Sequence, residues 1–596
     1  MANRLVSVGS DNFLPPSVLV GEANLPSGFN SAAMGGKVGK GEQVFSVLDE
    51  GALADAGTTG GTDNTGPFQS AMDKAWGSFG QGGTMLIPPG NYHLFGYVRL
   101  RSNVRILGYG ATIRKYGLSG STYSAFQALS AGAKGYGSSA RNVLFEGLSF
   151  RGRFSGSGTG NGICVTMHHA QDVTFRKCAW TETNIGGHAI DLMGCSGVLV
   201  DDCSFSGFNP SLTDNREYVE AIQLDYSMAD GGGDDTAASF DGLPTINVTV
   251  QNSRFLPQTI GATTYPAPNP LGSHSRVDGR WLEDIKFLNN YVEGCHEPVS
   301  TDGFADRCKG WLHFFCTRGV EIRGNHFKNA TDPGATKPRA ARVIAAYSIT
   351  TGTSLANVGV KGAASVAMAH MSMQNMTISG NTFEGFSSDT VEQIVDVRGT
   401  TTVSARNIHV NGNTLKDSFR TPGVSGDNGS DFIYLQDVAG ATVNDNYLNV
   451  ARSLLYAFRV TKLGVRGGQL INLGAYIARF STCTDISISG VHVDGHGGGY
   501  YFYSSCSGID VSGGSILNGR ADAIRPKHFS ISGATEFSIR NVRMPKDSNG
   551  YTSAIDIYST STKGKVKDIF AVGWGSDASL VSFGSGSSAT VSDNVY

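Results

Sequence analysis

Charge is scarce in this chain. Asp, Glu, Lys and Arg make up 16% of the residues, the formal net charge is −3, and no run of like charge occurs. That pattern excludes the usual basic surface for nucleic acid. No apolar run is long enough to span a bilayer. The first ten residues, Met1 to Ser10, hold no hydrophobic signal core. The sequence therefore reads as soluble, without membrane insertion or a trace of classical secretion. Nine cysteines are present with no Cys-x-x-Cys pair, which argues against a disulfide or zinc framework. Nothing calls for a metal or a cofactor. Helical periodicity is nearly absent as well. At 596 residues the chain is too long for one ordinary core. It has either several domains or a repeat whose core grows by stacking, and its 80 glycines fit a turn every few residues.

A short line recurs: apolar, any, apolar, any, small or polar, Asn or Cys, any, apolar. It reads Val143-Leu-Phe145-Glu-Gly-Leu-Ser-Phe150, then Val173 to Trp180, then Val198 to Phe205. Later copies begin at Val248, Ile285, Val320, Met376, Ile408, Ala441, Leu463, Ile486, Ile509, Phe537 and Ala589. The anchors at 441, 463, 486 and 509 lie 22, 23 and 23 residues apart, one solenoid rung each. The intervals 198 to 248 and 320 to 376 are longer and hold either insertions or a hidden rung. Period-two strands returning at this spacing, with no helices between, predict an all-β, right-handed, single-stranded parallel β-helix. Two columns support stacking. Five residues after the anchor stand Asn290, Asn325, Asn381, Asn413 and Asn446, preceded by Cys178 and Cys203. Asn suits a left-handed turn, and stacked amides form ladders. Two residues on comes a bulky column, Phe150, Trp180, Phe205, Phe255, Phe327 and Phe383. Both columns read as core and turn structure without chemistry.

The segment from Val44 to Leu94 differs. Pro67 suits a first helical position, and Phe68, Ala71, Met72, Ala75 and Trp76 follow at helical spacing. This predicts a short helix of about three turns capping the open end of the solenoid. The run Val47-Leu-Asp-Glu-Gly-Ala, then Gly61-Thr-Asp63-Asn-Thr65, Phe68 to Asp73, and Gly83-Thr-Met-Leu-Ile-Pro-Pro-Gly-Asn-Tyr92 resembles the opening of pectate-lyase-like β-helix proteins, among them bacteriophage tailspikes and depolymerases. It departs at Asn64, where aspartate is usual, and in a longer loop at Thr58 to Gly61. Val8 to Leu19 looks like the leader of tail proteins from phages of Gram-positive hosts. The expected division is an N-terminal arm over 1–43, as a virion attachment or a disordered leader, a capping helix and opening strands over 44–100, and the β-helix over 101–596. The resemblance implies a tailspike on the virion, acting outside the host cell as a homotrimer.

Fold does not give function, and the candidate chemistry lies on the strands that precede the anchors. His188-Ala-Ile190-Asp191-Leu192 precedes Val198, and Glu220-Ala-Ile222-Gln223-Leu224-Asp225 is the next copy, set back in a long insertion. The apolar alternation points Asp191 and Gln223 outward in one column, with Thr166 below, His313 further along, and Leu271 to His274 filling the rung between. Glycoside hydrolysis needs two carboxyl groups, one as acid and one as base or nucleophile. Asp191, Glu220 and Asp225 are the candidates, with His188 to tune a pKa and Gln223, His274 and His313 to bind substrate. The bland alternative makes all of these hydrogen-bonded loop anchors. Asp494-Gly-His496-Gly reads as a turn, and Asp230-Gly-Gly-Gly-Asp234-Asp235 as a solvated insertion tip.

In later rungs Tyr434, Tyr456 and Phe502 take the outward position, with Arg479 between them. Sugars stack on aromatic rings and Arg bonds hydroxyl or acid groups, so a polysaccharide track is one reading. A subunit interface is the other. The sequence thus points to a depolymerase that binds a host-surface polysaccharide and cleaves it as a hydrolase rather than a lyase. The alternatives are a non-catalytic receptor-binding protein for wall glycan or teichoic acid, or a structural tail component.

Overall fold

The computed structural model describes residues 43–596 apart from 58–59, 78–81, 116–123, 153–163, 185–187, 210–219, 229–234, 274–276, 278, 296–309, 330–341, 349–370, 387–392, 417–430, 520–526, 547–552 and 560. The proposed arm over 1–43 thus lies almost wholly outside the described residues, as does His274. The chain winds into a parallel β-helix. Anchor strands stack into one 18-stranded sheet, and the remaining strands form the other faces.

Every anchor falls in a single register column. Val143 pairs with Val173, Val173 with Val198, and Val198 directly with Val248. Val320 pairs directly with Met376. The two long intervals therefore hold insertions and not a hidden rung. Beyond Phe537 the column runs through a rung without a bulky anchor: Ser538 pairs with Lys565, which sets Gly564 beside Phe537, and Gly564 pairs with Ala589. A Cβ on Gly564 would lie 2.0 Å from the Phe537 ring, so the anchor is glycine because phenylalanine fills its place.

The asparagine column is a buried ladder. The Nδ2 of Asn290 donates to Asn325 Oδ1 (3.1 Å), Asn325 to Asn381 (2.9 Å), Asn381 to Asn413 (3.0 Å) and Asn413 to Asn446 (3.1 Å). Each Nδ2 also donates to a main-chain carbonyl one rung down. The left-handed residue is the one before, as at Asn289 (φ 53°) and Asp445 (φ 52°), so the asparagines face inward and do not themselves make the turn. The bulky column is a ring stack. Phe150, Trp180, Phe205 and Phe255 follow at 4.8–4.9 Å with planes within 9°, the spacing of the strands that carry them.

The N-terminal end is closed by a helix, Thr65–Gly77, that buries Phe68, Ala71, Met72 and Ala75. Trp76 is not part of that face. It stands 47% exposed under the Arg101 guanidinium. Asn64 has a physical reason to be asparagine: its Oδ1 accepts from Leu53 N–H while its Nδ2 donates to the Leu53 and Thr62 carbonyls. An aspartate could not donate.

Candidate functional site

One outward column of the 28-stranded sheet is continuous. Thr166 pairs with Asp191, Asp191 with Gln223, Gln223 with Gly272 and Gly272 with His313. It continues through Ala345, Asp396, Tyr434, Tyr456 and Arg479 to Tyr501. Its flanking residues Ile190, Leu192, Ile222 and Leu224 lie in the core, which fixes Asp191 and Gln223 on the outer side. Both are nonetheless nearly buried, at 6% and 5%.

Asp225 pairs with Met193, one rung from and two residues beyond Asp191, so the two α-carbons stand about 8 Å apart by strand geometry. Asp225 accepts from the Tyr226 N–H (2.7 Å) and the Gln223 amide (3.1 Å). Glu220 opens the same strand, roughly 16 Å from Asp225 along it. Asp191 therefore stands nearer Asp225 than Glu220, whose α-carbon lies roughly 11 Å from that of Asp191 by the same geometry, and Glu220 and Asp225 cannot form a pair with each other.

Glu220, the first residue of the strand, is 1% exposed and falls on the Ile222 and Leu224 side by alternation. Its Oε1 lies 3.5 Å from His313 Nε2, two rungs away. The rung between contributes Gly272, where a Cβ would fall 2.2 Å from that nitrogen. His188 is tied to the Glu220 main chain, with Nδ1 2.7 Å from the carbonyl. A carbonyl only accepts, so that nitrogen carries the proton. Asn269, the register partner of Glu220, is fully buried, and neither of its amide atoms is hydrogen-bonded among the described residues.

One cluster has no counterpart in the sequence reading. His168 Nδ1 lies 2.7 Å from Asp235 Oδ2 and its Nε2 lies 2.7 Å from Ser227 Oγ. The adjacent His169 joins Ser130 (3.0 Å) to Asp241 (2.9 Å), and the two imidazoles stack at 4.1 Å. Asp235 also accepts from the Ser130 and Ala131 N–H groups and from Ser239 Oγ. It is a buried anchor and no solvated tip, while residues 230–234 lie outside the described ones. Burial works to raise the Asp235 pKa, but the hydrogen bonds from Ser239, Ser130 and His168 outweigh it and hold it at about 2. The bond order Asp–His–Ser is that of an activated nucleophile, yet Ser227 is 1% exposed and its Oγ already accepts from Asp241 N–H. Both arrays act as a clasp that binds the 235–243 segment to the solenoid wall. The His168-His169 pair at a strand end was the available signal.

Further along, Tyr434, Tyr456 and Arg479 are outward as expected, but Phe502 is not. It is buried in the core against Phe480, and Tyr501 takes the outward place. A one-residue slip exchanges the faces of a strand. The Arg479 guanidinium lies over Tyr456 (4.3 Å) and bonds Asp431 (2.7 Å), and Tyr434 meets Tyr456 edge-on at 5.1 Å. Asp494 to Gly497 is no turn. It lies within one strand, His492–Tyr503, with His496 buried and its Nε2 3.0 Å from His528 Nδ1.

No family model matches the chain. It is 24% identical over 305 residues to the plasmin and fibronectin-binding protein A of Streptococcus pneumoniae, which covers 48% of this chain. The chain spans about two fifths of that relative, 39% of its length. Two crystal structures of this surface adhesin each superpose with a TM-score of 0.56 at 19% identity over 74% of this chain, covering 93% and 100% of the adhesin chain solved. The likeness establishes a shared parallel β-helix.

Proposed function

We propose that this chain is an extracellular protein that binds a cell-surface polysaccharide along the outward column of its 28-stranded sheet and cleaves it by glycoside hydrolysis. The observation that carries this reading is the group Asp191, Glu220 and Asp225 on two adjacent rungs, with His313 brought to Glu220 across Gly272. Glu220 is the proposed proton donor to the glycosidic oxygen, and Asp191 the base or nucleophile. Their α-carbons stand roughly 11 Å apart by strand geometry, so the two side chains must converge to reach the roughly 5–9.5 Å that such pairs span. Asp225, His188 and Gln223 hold the site, and His313 and the later Tyr434, Tyr456 and Arg479 contact the sugar chain. Asn269 supports the reading too, because a buried amide without partners is costly unless a ligand supplies them. The tailspike-like opening favours a place on a phage tail, as a homotrimer attached through residues 1–43.

A second reading is a surface protein that binds glycan or wall polymer without cutting it, and the streptococcal relative, named as a binding protein for plasmin and fibronectin, supports only the binding part of it. Incubating the purified chain with capsule or wall polymer, followed by mass spectrometry, separates the two. Fragments that have gained one water per cut mean hydrolase, and unsaturated fragments mean lyase. Binding without fragments leaves the second reading.

A further inference from the structure

Three partly exposed guanidiniums stand in or beside the later part of the outward column, Arg479 within it, Arg398 two residues beyond Asp396 and Arg459 just past the Ser453–Phe458 strand, and each is already held by a carboxylate. Arg398 grips Asp396 with Nε and Nη2, both at 2.8 Å. Arg459 grips Asp437 with the same two atoms at 2.6 and 2.7 Å. Arg479 donates to Asp431. A fourth, Arg342, is buried and also pairs with Asp396. At Arg398 and Arg459 an anionic ligand would have to displace a carboxylate from a bidentate fork, and at Arg479 from a single charge-assisted bond.

The same guanidiniums are fixed over aromatic rings, Arg398 over Tyr434 (4.8 Å) and Arg479 over Tyr456 (4.3 Å). Tyr434 and Tyr456 occupy consecutive rungs, a strand spacing apart, close to the advance of one sugar residue. They are pinned at their hydroxyls, Tyr434 to Gln436 and Tyr456 by Tyr503. Rigid half-exposed rings, and guanidinium N–H groups left over after the forks are made, suit ring faces and hydroxyl oxygens. Asp396 serves both Arg342 and Arg398, so four guanidiniums meet three carboxylates, and the single surplus charge is shared with an Arg342 side chain that is only 6% exposed.

We propose that this tyrosine–guanidinium face takes an uncharged stretch of glycan, and does not recognise uronate, sialate or phosphate groups. The proposal rests on the polysaccharide-binding reading above and names its ligand class. The test is binding of the full chain to an array of defined bacterial oligosaccharides that includes neutral, uronate, sialylated and phosphorylated members, at low and high salt. The expected hits are neutral, with signal insensitive to salt because no ion pair to the ligand is screened. Tyr456→Ala should weaken them about tenfold or more, while Tyr456→Phe, which keeps the ring, retains them. Acidic or phosphorylated hits, or a signal that collapses with salt, would overturn the proposal and leave the polysaccharide reading standing. Unchanged binding by Tyr456→Ala, with a changed mass in light scattering, would make the face a contact between copies and also overturn it. No hit on any glycan would overturn both.

Discussion

His313 reaches Glu220 over a rung that has no side chain in the way. The ring of His313 occupies the space where a Cβ of Gly272 would stand, and its Nε2 comes to 3.5 Å from the carboxylate two rungs back. The clasp uses the same device. The rung between His168 and Ser227 carries Gly194, where a Cβ would lie 3.0 Å from the Ser227 Cβ and 3.2 Å from the His169 ring. Gly272→Ala should therefore push His313 off Glu220 while costing only about 1–3 kcal/mol of overpacking. The expected result is a folded protein by circular dichroism with strongly reduced cleavage, or reduced glycan binding if the chain does not cut.

Asn269→Leu separates stability from function. Removing a buried amide that has no hydrogen-bond partner relieves a desolvation cost. The melting temperature should hold or rise, while affinity for the ligand falls. A fall in both would assign Asn269 a structural role.

The asparagine ladder is cooperative along five rungs. Asn381→Ala removes two donated side-chain bonds and two accepted ones and leaves buried main-chain groups without partners. The cost should be on the order of 2–4 kcal/mol, read as faster unfolding in denaturant.

The clasp should make stability depend on pH in two windows. Burial and the neighbouring His169 lower the His168 pKa, against the pull of Asp235, so the folded chain binds that proton less readily than the unfolded one. Its contribution is present above the ordinary histidine value of about 6.5 and declines as pH falls below it. Asp235, held at about 2, contributes above the ordinary aspartate value of about 3.9, and this is lost as pH falls toward 2. Denaturation measured across pH should show both, and His168→Gln should remove the first. Ser227, being buried, should stay unlabelled by a fluorophosphonate, and labelling would mark it as a reactive nucleophile instead.

The rungs were legible because stacking imposes a strict repeat, and Val143 to Ala589 keep one register through insertions of very different length. The outward set Asp191 and Gln223 followed from alternation alone. Alternation failed where it was counted from the wrong residue, as at Phe502, and could not reveal contacts two rungs apart. The His168 clasp and the Glu220–His313 contact depend on a missing side chain in the rung between, and a glycine in a glycine-rich chain gives no warning of that. Trp76 misled for a different reason: its apolar ring is satisfied by a guanidinium on the surface and needs no core.

The most direct test of the carboxylate site compares the wild-type chain with Glu220→Gln and Asp191→Asn in a reducing-end assay on a polysaccharide that the chain binds. The account predicts new reducing ends from wild type, at least about a hundredfold slower release from each variant, and glycan affinity nearly unchanged. Equal rates from all three proteins would contradict it.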